Sequence, residues 1–255
     1  MKRARTALIT GASSGIGCEI AKILSKRGYD VIITARREDK LLKLKEKLFG
    51  NVTVIPCDIS DRQQCIELYN KVKDKNISVL INNAGFGAVG NFDEIPLQTE
   101  LQMIDTNCTA LHILTKLFIK DFIEKDYGYI LNVASSAGLM PGGPLMSTYY
   151  ATKAYVTSLT CGISEELKAM NSHVSISALC PGPVDTEFNQ VANVKFNLKS
   201  ITAKECAKAA VHGLFACKLI IIPSADMKAS SIGARLLPRN LVLPIARHMQ
   251  EKKIK

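Results

Sequence analysis

Residues 7–17 read Ala7-Leu8-Ile9-Thr10-Gly11-Ala12-Ser13-Ser14-Gly15-Ile16-Gly17, a short aliphatic run that breaks into a glycine- and serine-rich turn. The run has the composition of a buried strand, and helical periodicity begins at Ile16. Three glycines at this spacing allow a tight turn, close approach of the backbone to a pyrophosphate, and close packing of the next helix on the strand. The helix N-terminus would aim free N–H groups and the positive end of its dipole at the phosphates. The competing reading is a glycine–serine loop without a ligand, and the position between a first strand and a first helix weighs against it. Gly11, Ser13, Ser14, Gly15, Ile16 and Gly17 are the expected phosphate cradle.

Downstream the same alternation continues. Aliphatic runs recur at 31–34, 52–56, 79–82, 129–134, 174–179 and 219–222, separated by helix-like stretches near 16–28, 38–49, 61–75, 99–125, 150–170 and 202–217. Strands alternating with helices imply βαβ units, and runs that are apolar throughout imply a sheet covered on both faces. The expected fold is α/β: one doubly wound, Rossmann-like parallel sheet of about seven strands in residues 1–226, followed by a basic, apolar extension over 227–255. Ligands in such sheets bind beyond the carboxyl ends of the strands, so the residues after each run matter most.

Composition narrows the classes. With 255 residues, 47% hydrophobic and 22% charged, the chain has ordinary globular values, which exclude disorder, collagen and coiled coil. The longest aliphatic run is far shorter than the ~20 residues of a spanning helix. The basic start Met1-Lys2-Arg3 is followed by too little apolar sequence for a secretory signal. Eight scattered cysteines without a C-x-x-C pair read as reduced thiols of a cytoplasmic protein, with no metal site expected. Asn51-Val52-Thr53 and Asn107-Cys108-Thr109 then match glycosylation acceptors by chance. The net charge of +10 fits nucleic acid, a membrane surface or an anionic small ligand. No basic face interleaved with aromatics appears, which argues against nucleic acid.

The second run ends Thr34-Ala35-Arg36-Arg37, without the acid that would accept from a ribose 2′-OH. Guanidinium pairs well with a 2′-phosphate, so NADP(H) is the expected cofactor, with Arg36 the first candidate and Arg37 the second. The alternative is that both arginines only begin a solvated helix. After the third run, Asp58-Ile59 is set where the adenine could lie, although Asp58 could equally belong to the N-cap of the next helix.

Tyr-x-x-x-Lys occurs twice, at Tyr69/Lys73 and Tyr149/Lys153, a spacing that puts both side chains on one helix face. Tyr69 lies mid-helix among lysines and reads as structural. Tyr149 begins a helix on the carboxyl side of the sheet, and the fifth run ends in Ala134-Ser135-Ser136-Ala137-Gly138, which puts hydroxyls at the same cleft. Carbonyl reduction needs a hydride donor and a proton donor. A tyrosine with its ordinary pKa is a poor acid–base at neutral pH unless a cation favours the phenolate, and Lys153 is that cation. A serine would polarise the carbonyl.

These motifs resemble the short-chain dehydrogenases/reductases of the NADP(H)-using type, over residues 6 to about 190. The resemblance rests on Thr10, Gly11, Gly15 and Gly17; on Asn82-Asn83-Ala84-Gly85 after the fourth run; on Asn107; on Tyr149 and Lys153; and on Pro181, Gly182, Val184 and Thr186 after the sixth. It implies that Tyr149 is the proton donor and that Lys153 tunes it and binds ribose hydroxyls. Asn107 would support a proton relay. Asn83, Ala84, Gly85, Pro181, Gly182, Val184 and Thr186 would line the cofactor. The family's serine stands 13 residues before the tyrosine, which selects Ser136, whereas its Ser-x-x-Gly pattern selects Ser135. Ser135 is preferred, with a one-residue insertion at Gly142-Gly143. Strand alternation would then let only one of the two serines reach the substrate. Members are often dimers or tetramers through the helices near 99–125 and 150–170, which makes a homo-oligomer the expectation.

Pocket walls are expected from Phe86, Val89, Leu139, Met140, Pro141, Leu145, Met146, Phe188, Val191 and Phe196, a lining that suits an apolar ketone, aldehyde or alcohol. The stretch from Met140 to Met146 resembles bacterial relatives of steroid and long-chain 3-oxoacyl reductases, with plain loop packing as the equal alternative. Residues 184–200 show no pattern and read as a mobile lid. The tail from Met227 holds seven Lys/Arg against one acid, interleaved with leucines and isoleucines and broken by Pro238 and Pro244. It reads either as a peripheral membrane segment or as a helix capping the pocket or an interface. A nucleotide-occupied regulatory or membrane-docking protein without catalysis is the alternative to an enzyme.

Overall fold

The computed structural model describes residues 5–188 and 200–254. Its main sheet comprises β1 (Thr6–Thr10), β2 (Asp30–Ala35), β3 (Val52–Pro56), β4 (Ile77–Asn82), β5 (Gly128–Val133), β6 (Val174–Leu179) and β9 (Ile220–Ile221). All pairings are parallel and the order is β3-β2-β1-β4-β5-β6-β9. A separate two-stranded ladder joins β7 (Val184–Asp185) to β8 (Ile201–Thr202). The helices are α1 (Gly15–Lys26), α2 (Glu38–Lys45), α3 (Arg62–Val72), α4 (Leu97–Ile104), α5 (Leu111–Glu124), α6 (Ser147–Ala169), α7 (Ala203–Phe215), α8 (Ala225–Leu236) and α9 (Arg239–Ile254).

Each strand sends alternate residues to opposite faces, and both sets are apolar. Ala7, Ile9, Val31, Ile33, Val79 and Ile81 pack on Ile20 and Leu24 of α1 and Val211 and Leu214 of α7. Leu8, Ile32, Leu80 and Ile130 face Leu68 of α3 and Leu114, Phe118 and Phe122 of α5. This two-sided burial is why the strands carry no polar period. The order reverses between β1 and β4, opening a crevice at their carboxyl ends.

Two features absent from the sequence reading steer the site. Asn82 and Asn132 are in register on β4 and β5, and Asn82 Nδ2 donates to Asn132 Oδ1 at 2.9 Å. Asn132 Nδ2 reaches Thr160 of α6 at 3.0 Å, and Asn82 Nδ2 reaches Thr115 of α5 at 3.0 Å. This buried polar bridge fixes both helices against the strand ends. Between α4 and α5, residues 105–110 form a π-helical turn that includes Asn107.

The tail is two helices rather than one, broken where Leu237 is extended before Pro238. Pro244 lies inside α9. Met227 of α8 lies against Gly182, where a Cβ would come within 2.5 Å of its Cγ. Leu243 lies against Gly142, and Gln250 Nε2 donates to Tyr150 Oη at 2.6 Å. Among the described residues no helix is long and apolar enough to cross a membrane.

Candidate active site

The crevice holds a cavity of about 490 Å³, in the range of cofactor and substrate sites. Gly11 and Gly15 adopt φ of +63° and +58°, which disfavour a side chain. A Cβ on Gly11 would meet Ala84 Cα at 2.7 Å, so the β1 and β4 loops touch backbone to backbone. Ser14, the N-cap of α1, is extended and makes no side-chain cap, which leaves the first N–H groups of the helix open to the crevice. An open helix N-terminus behind left-handed glycines fits an extended pyrophosphate. Gly17 does not line the cavity: it is buried against Asn83 Nδ2 and the carbonyl of Gly11, so its contribution is close packing. Asn83 Nδ2 is spent on the carbonyls of Thr10 (3.0 Å) and Gly11 (3.1 Å), which makes it the clamp of the glycine loop.

At the far end, Arg36, Arg37, Asp58 and Ile59 all border the cavity. Arg37 Nη2 donates to Ser13 Oγ at 3.2 Å, to Ser14 Oγ at 3.4 Å and to Glu187 Oε2 at 2.8 Å. Asp58 accepts from Ser60 N and Oγ, while the N-cap of α3 is Asp61. Glu187, unremarked in the sequence, pairs with both Arg37 and Lys40 and is held down to about 2 by those two cations.

Tyr149, Ser135 and Lys153 meet at the other end. Tyr149 and Lys153 lie one turn apart on α6, with Lys153 Nζ 5.8 Å from the Tyr149 ring centroid. Both are buried, at 9% and 4% exposure. Ser135, just beyond β5, acts on the Tyr149 phenol to lower its pKa, and its Oγ accepts from Ala137 N at 3.2 Å. The glycine of Ser-x-x-Gly has a packing reason: a Cβ on Gly138 would collide with the carbonyl of Lys153, so the serine turn and α6 press together. Both serines border the cavity, contrary to the expected alternation. The strand ends at Val133 and a 3₁₀ turn begins at Ser136, so the two-residue period no longer applies.

The electrostatics also differ from the expectation. Burial pushes Tyr149 up to about 12, opposed only in part by the Ser135 hydrogen bond. Lys153 is pushed down to about 8 by its own burial. Its ammonium donates to the carbonyl of Val133 at 2.9 Å. Here burial, and not the Lys153 charge, sets the direction of the Tyr149 shift, opposite to the depression expected from the sequence. Asn107 uses its side chain to clamp Phe86 N and O and Thr152 Oγ1, joining the β4 loop to α6.

Tyr69 stands apart, its hydroxyl donating to Asp121 at 2.9 Å. Ala84, Gly85, Pro181, Gly182, Val184 and Thr186 line the cavity. So do Phe86, Met146 and Phe188 among the expected walls, joined by Tyr150, Gln102 and Thr106, which the sequence reading missed because Gln102 of α4, Thr106 of the π-helical turn and the second tyrosine of α6 carry no motif. Val89, Leu139, Met140, Pro141 and Leu145 do not line it. Leu139 is buried against Val156 and Leu111 instead, and Val89 packs beside Met103 and Met146. Val191 and Phe196, and most of the expected lid, lie outside the described residues. No cluster of metal-ligating side chains occurs among the described residues.

The family model for short chain dehydrogenases matches residues 5–196. The 3-oxoacyl-[acyl-carrier-protein] reductase FabG of Rickettsia prowazekii is 35% identical over 191 residues, 75% of this chain and 77% of that protein. A solved short-chain dehydrogenase from Sphingobium yanoikuyae in complex with NADPH superimposes with a TM-score of 0.80 at 30% identity, over 90% of this chain and 93% of that one. A short-chain dehydrogenase/reductase from Burkholderia phymatum in complex with NAD superimposes with a TM-score of 0.82 at 22% identity, over 91% and 94%. With a nucleotide crevice at the sheet's switch point and a family match across three quarters of its length, the chain belongs to the short-chain dehydrogenase/reductase family of oxidoreductases.

Proposed function

We propose that the protein is an NADP(H)-dependent reductase of apolar ketones or aldehydes, able to run in reverse on the alcohols, with Tyr149 as general acid–base. The observation that carries the reading is the meeting of a buried phenol, a serine hydroxyl and a buried ammonium at one end of a dinucleotide-sized crevice. The Arg36-Arg37 pair at the other end, without a carboxylate on the strand end itself, favours the 2′-phosphorylated cofactor. NADPH, when bound, supplies the hydride for the carbonyl carbon.

Tyr149 keeps its proton at neutral pH because burial disfavours the phenolate. Its hydroxyl gives that proton to the substrate oxygen as negative charge develops there, and the C=O becomes CH–OH. Ser135 donates to the same oxygen and orients it. The Lys153 ammonium stabilises the phenolate that forms and offers donors to ribose hydroxyls; Asn107 acts by holding the β4 loop on α6 and so supporting the relay that reprotonates the tyrosine. Phe86, Met146, Tyr150 and Phe188 provide an apolar rim with no fixed charge for the substrate.

The enzyme is further proposed to be cytoplasmic, to assemble into a homo-oligomer through the helices of 99–125 and 150–170, and to use its tail as the outer wall of the pocket. Exposed Ile123 on α5, Tyr155 in the first half of α6 and Met170 just past its end support assembly. The contacts of Met227, Leu243 and Gln250 support the wall. The tail's outward face, with Leu236 and Ile245 exposed near Arg239, leaves peripheral contact with anionic lipid as a second use, tested by co-sedimentation with anionic vesicles.

The test is NADPH against NADH oxidation over a panel of apolar ketones, aldehydes and 3-oxoacyl thioesters. Tyr149→Phe should retain NADPH binding and lose turnover. Full activity in that variant rejects the assigned role, and inactivity of the native enzyme across the panel favours the non-catalytic alternative.

A further inference from the structure

Thr186, Glu187 and Phe188 run across the mouth of the crevice and touch three different parts of it. The Thr186 methyl group lies 3.2 Å from where a Cβ on Gly15 would stand, beside the phosphate loop. The Phe188 ring packs on the Tyr149 ring with centroids 5.6 Å apart. Between them Glu187 reaches back over the cofactor end, its Oε2 2.8 Å from Arg37 Nη2 and its Oε1 2.6 Å from Lys40 Nζ. Arg37 in turn donates to Ser13 and Ser14 of the glycine loop. A carboxylate thus occupies two of the cations that follow the second strand, where the NADP(H) reading sets the phosphate on the adenosine ribose. Glu187 is supplied by a loop beyond β6, 150 residues from Arg37, so no local constraint of the second strand requires the contact.

We propose that Glu187 is a built-in competitor for the 2′-phosphate: the phosphorylated dinucleotide gains Arg37 and Lys40 only by displacing this carboxylate, so Glu187 sets how strongly the protein prefers NADP(H) to NAD(H). The inference rests on the NADP(H) reading of the site. The chemistry is a like-for-like exchange of one anion for another. A phosphate dianion offers more charge and more acceptors than a carboxylate and wins, but its net gain is reduced by the two ion pairs it breaks. Both pairs are partly exposed, at 34–46% of the side chains, which keeps each of them weak and the displacement feasible. The neutral isostere Glu187→Gln frees the cations without emptying the space.

The experiment is calorimetric titration with adenosine 2′,5′-bisphosphate and with adenosine 5′-monophosphate, which needs no turnover. Glu187→Gln should tighten the bisphosphate about three- to tenfold, the size expected for two exposed ion pairs, and leave the monophosphate unchanged. The gain should vanish in an Arg37→Gln/Lys40→Gln background. Equal tightening of both nucleotides, no tightening, weakening of the bisphosphate, or a gain that survives loss of both cations would each overturn the proposal. A native protein that binds the two probes equally, and is unmoved by Arg37→Gln, overturns the NADP(H) reading itself. Discrimination by the native protein with an unchanged Glu187→Gln overturns only the competitor.

Discussion

At pH 9 the hydroxyl of Tyr149 should still carry its proton. Burial raises it from 10.0 to about 12, and the Ser135 hydrogen bond recovers only part of that. Two units correspond to about 2.7 kcal/mol against the phenolate, so roughly one molecule in a thousand is ionised at pH 9, against about one in ten for an exposed tyrosine. The chain has seven tyrosines and no tryptophan, so phenolate formation can be followed in the near ultraviolet with little background. The measurement is the difference between native protein and Tyr149→Phe during an alkaline titration. The two curves should coincide up to about pH 10. A phenolate band with a midpoint near neutrality, present in the native protein and missing from the variant, would refute the desolvation argument and restore the cation-depressed tyrosine suggested by the sequence alone. The consequence for catalysis is specific. A neutral phenol is the form that can donate in reduction, so the alkaline limit passes to Lys153, and the single-turnover reduction rate should fall about tenfold per pH unit above about 8.

The same lysine links activity to stability with opposite sign. Its folded value, about 8, lies below the ordinary 10.5, so between these values the unfolded chain binds the extra proton and stability rises with pH, by up to about 3 kcal/mol relative to Lys153→Met in urea unfolding; parallel pH profiles for the two proteins would contradict this. Gly11→Ala should cost about 2 kcal/mol in stability, from the +63° φ and the 2.7 Å approach to Ala84, and weaken NADPH more than tenfold in a fluorescence titration. Unchanged binding would show that the loop does not approach the phosphates. Asn132→Leu strips the partner from Asn82 and Thr160 and should cost about 1–3 kcal/mol by denaturant unfolding. A neutral result would remove the polar bridge as a reason for the placement of α6.

Much of the fold was legible because its cause is local. Runs such as Val31–Thr34 are apolar on both sides, and a helix-period pattern follows each, so the alternation alone dictates a covered parallel sheet. The same holds for Gly11 and Gly15, whose left-handed backbone needs the residue type itself, and for Tyr149 and Lys153, whose four-residue spacing is a helical face. The tail was legible only as composition. Its prolines made a continuous helix doubtful, and the break did fall at Leu237-Pro238; the partners Gly182, Gly142 and Tyr150 lie 45 to 101 residues away and leave no periodic trace.

What the amino-acid order determined, then, is every feature carried by the backbone's own preferences: strand, turn, helix and the spacing of neighbours along one helix. What only the tertiary structure decided is every feature that depends on which distant groups share a small, dry volume. Ser135 meets Tyr149 because Gly138 lets one turn press on α6, and Glu187 meets Arg37 because the loop after β6 returns across the crevice. Tyr149 is harder to ionise, not easier, because the cost of burying a charge depends on the three-dimensional surroundings, and a cation four residues away in sequence carries no information about how much water remains.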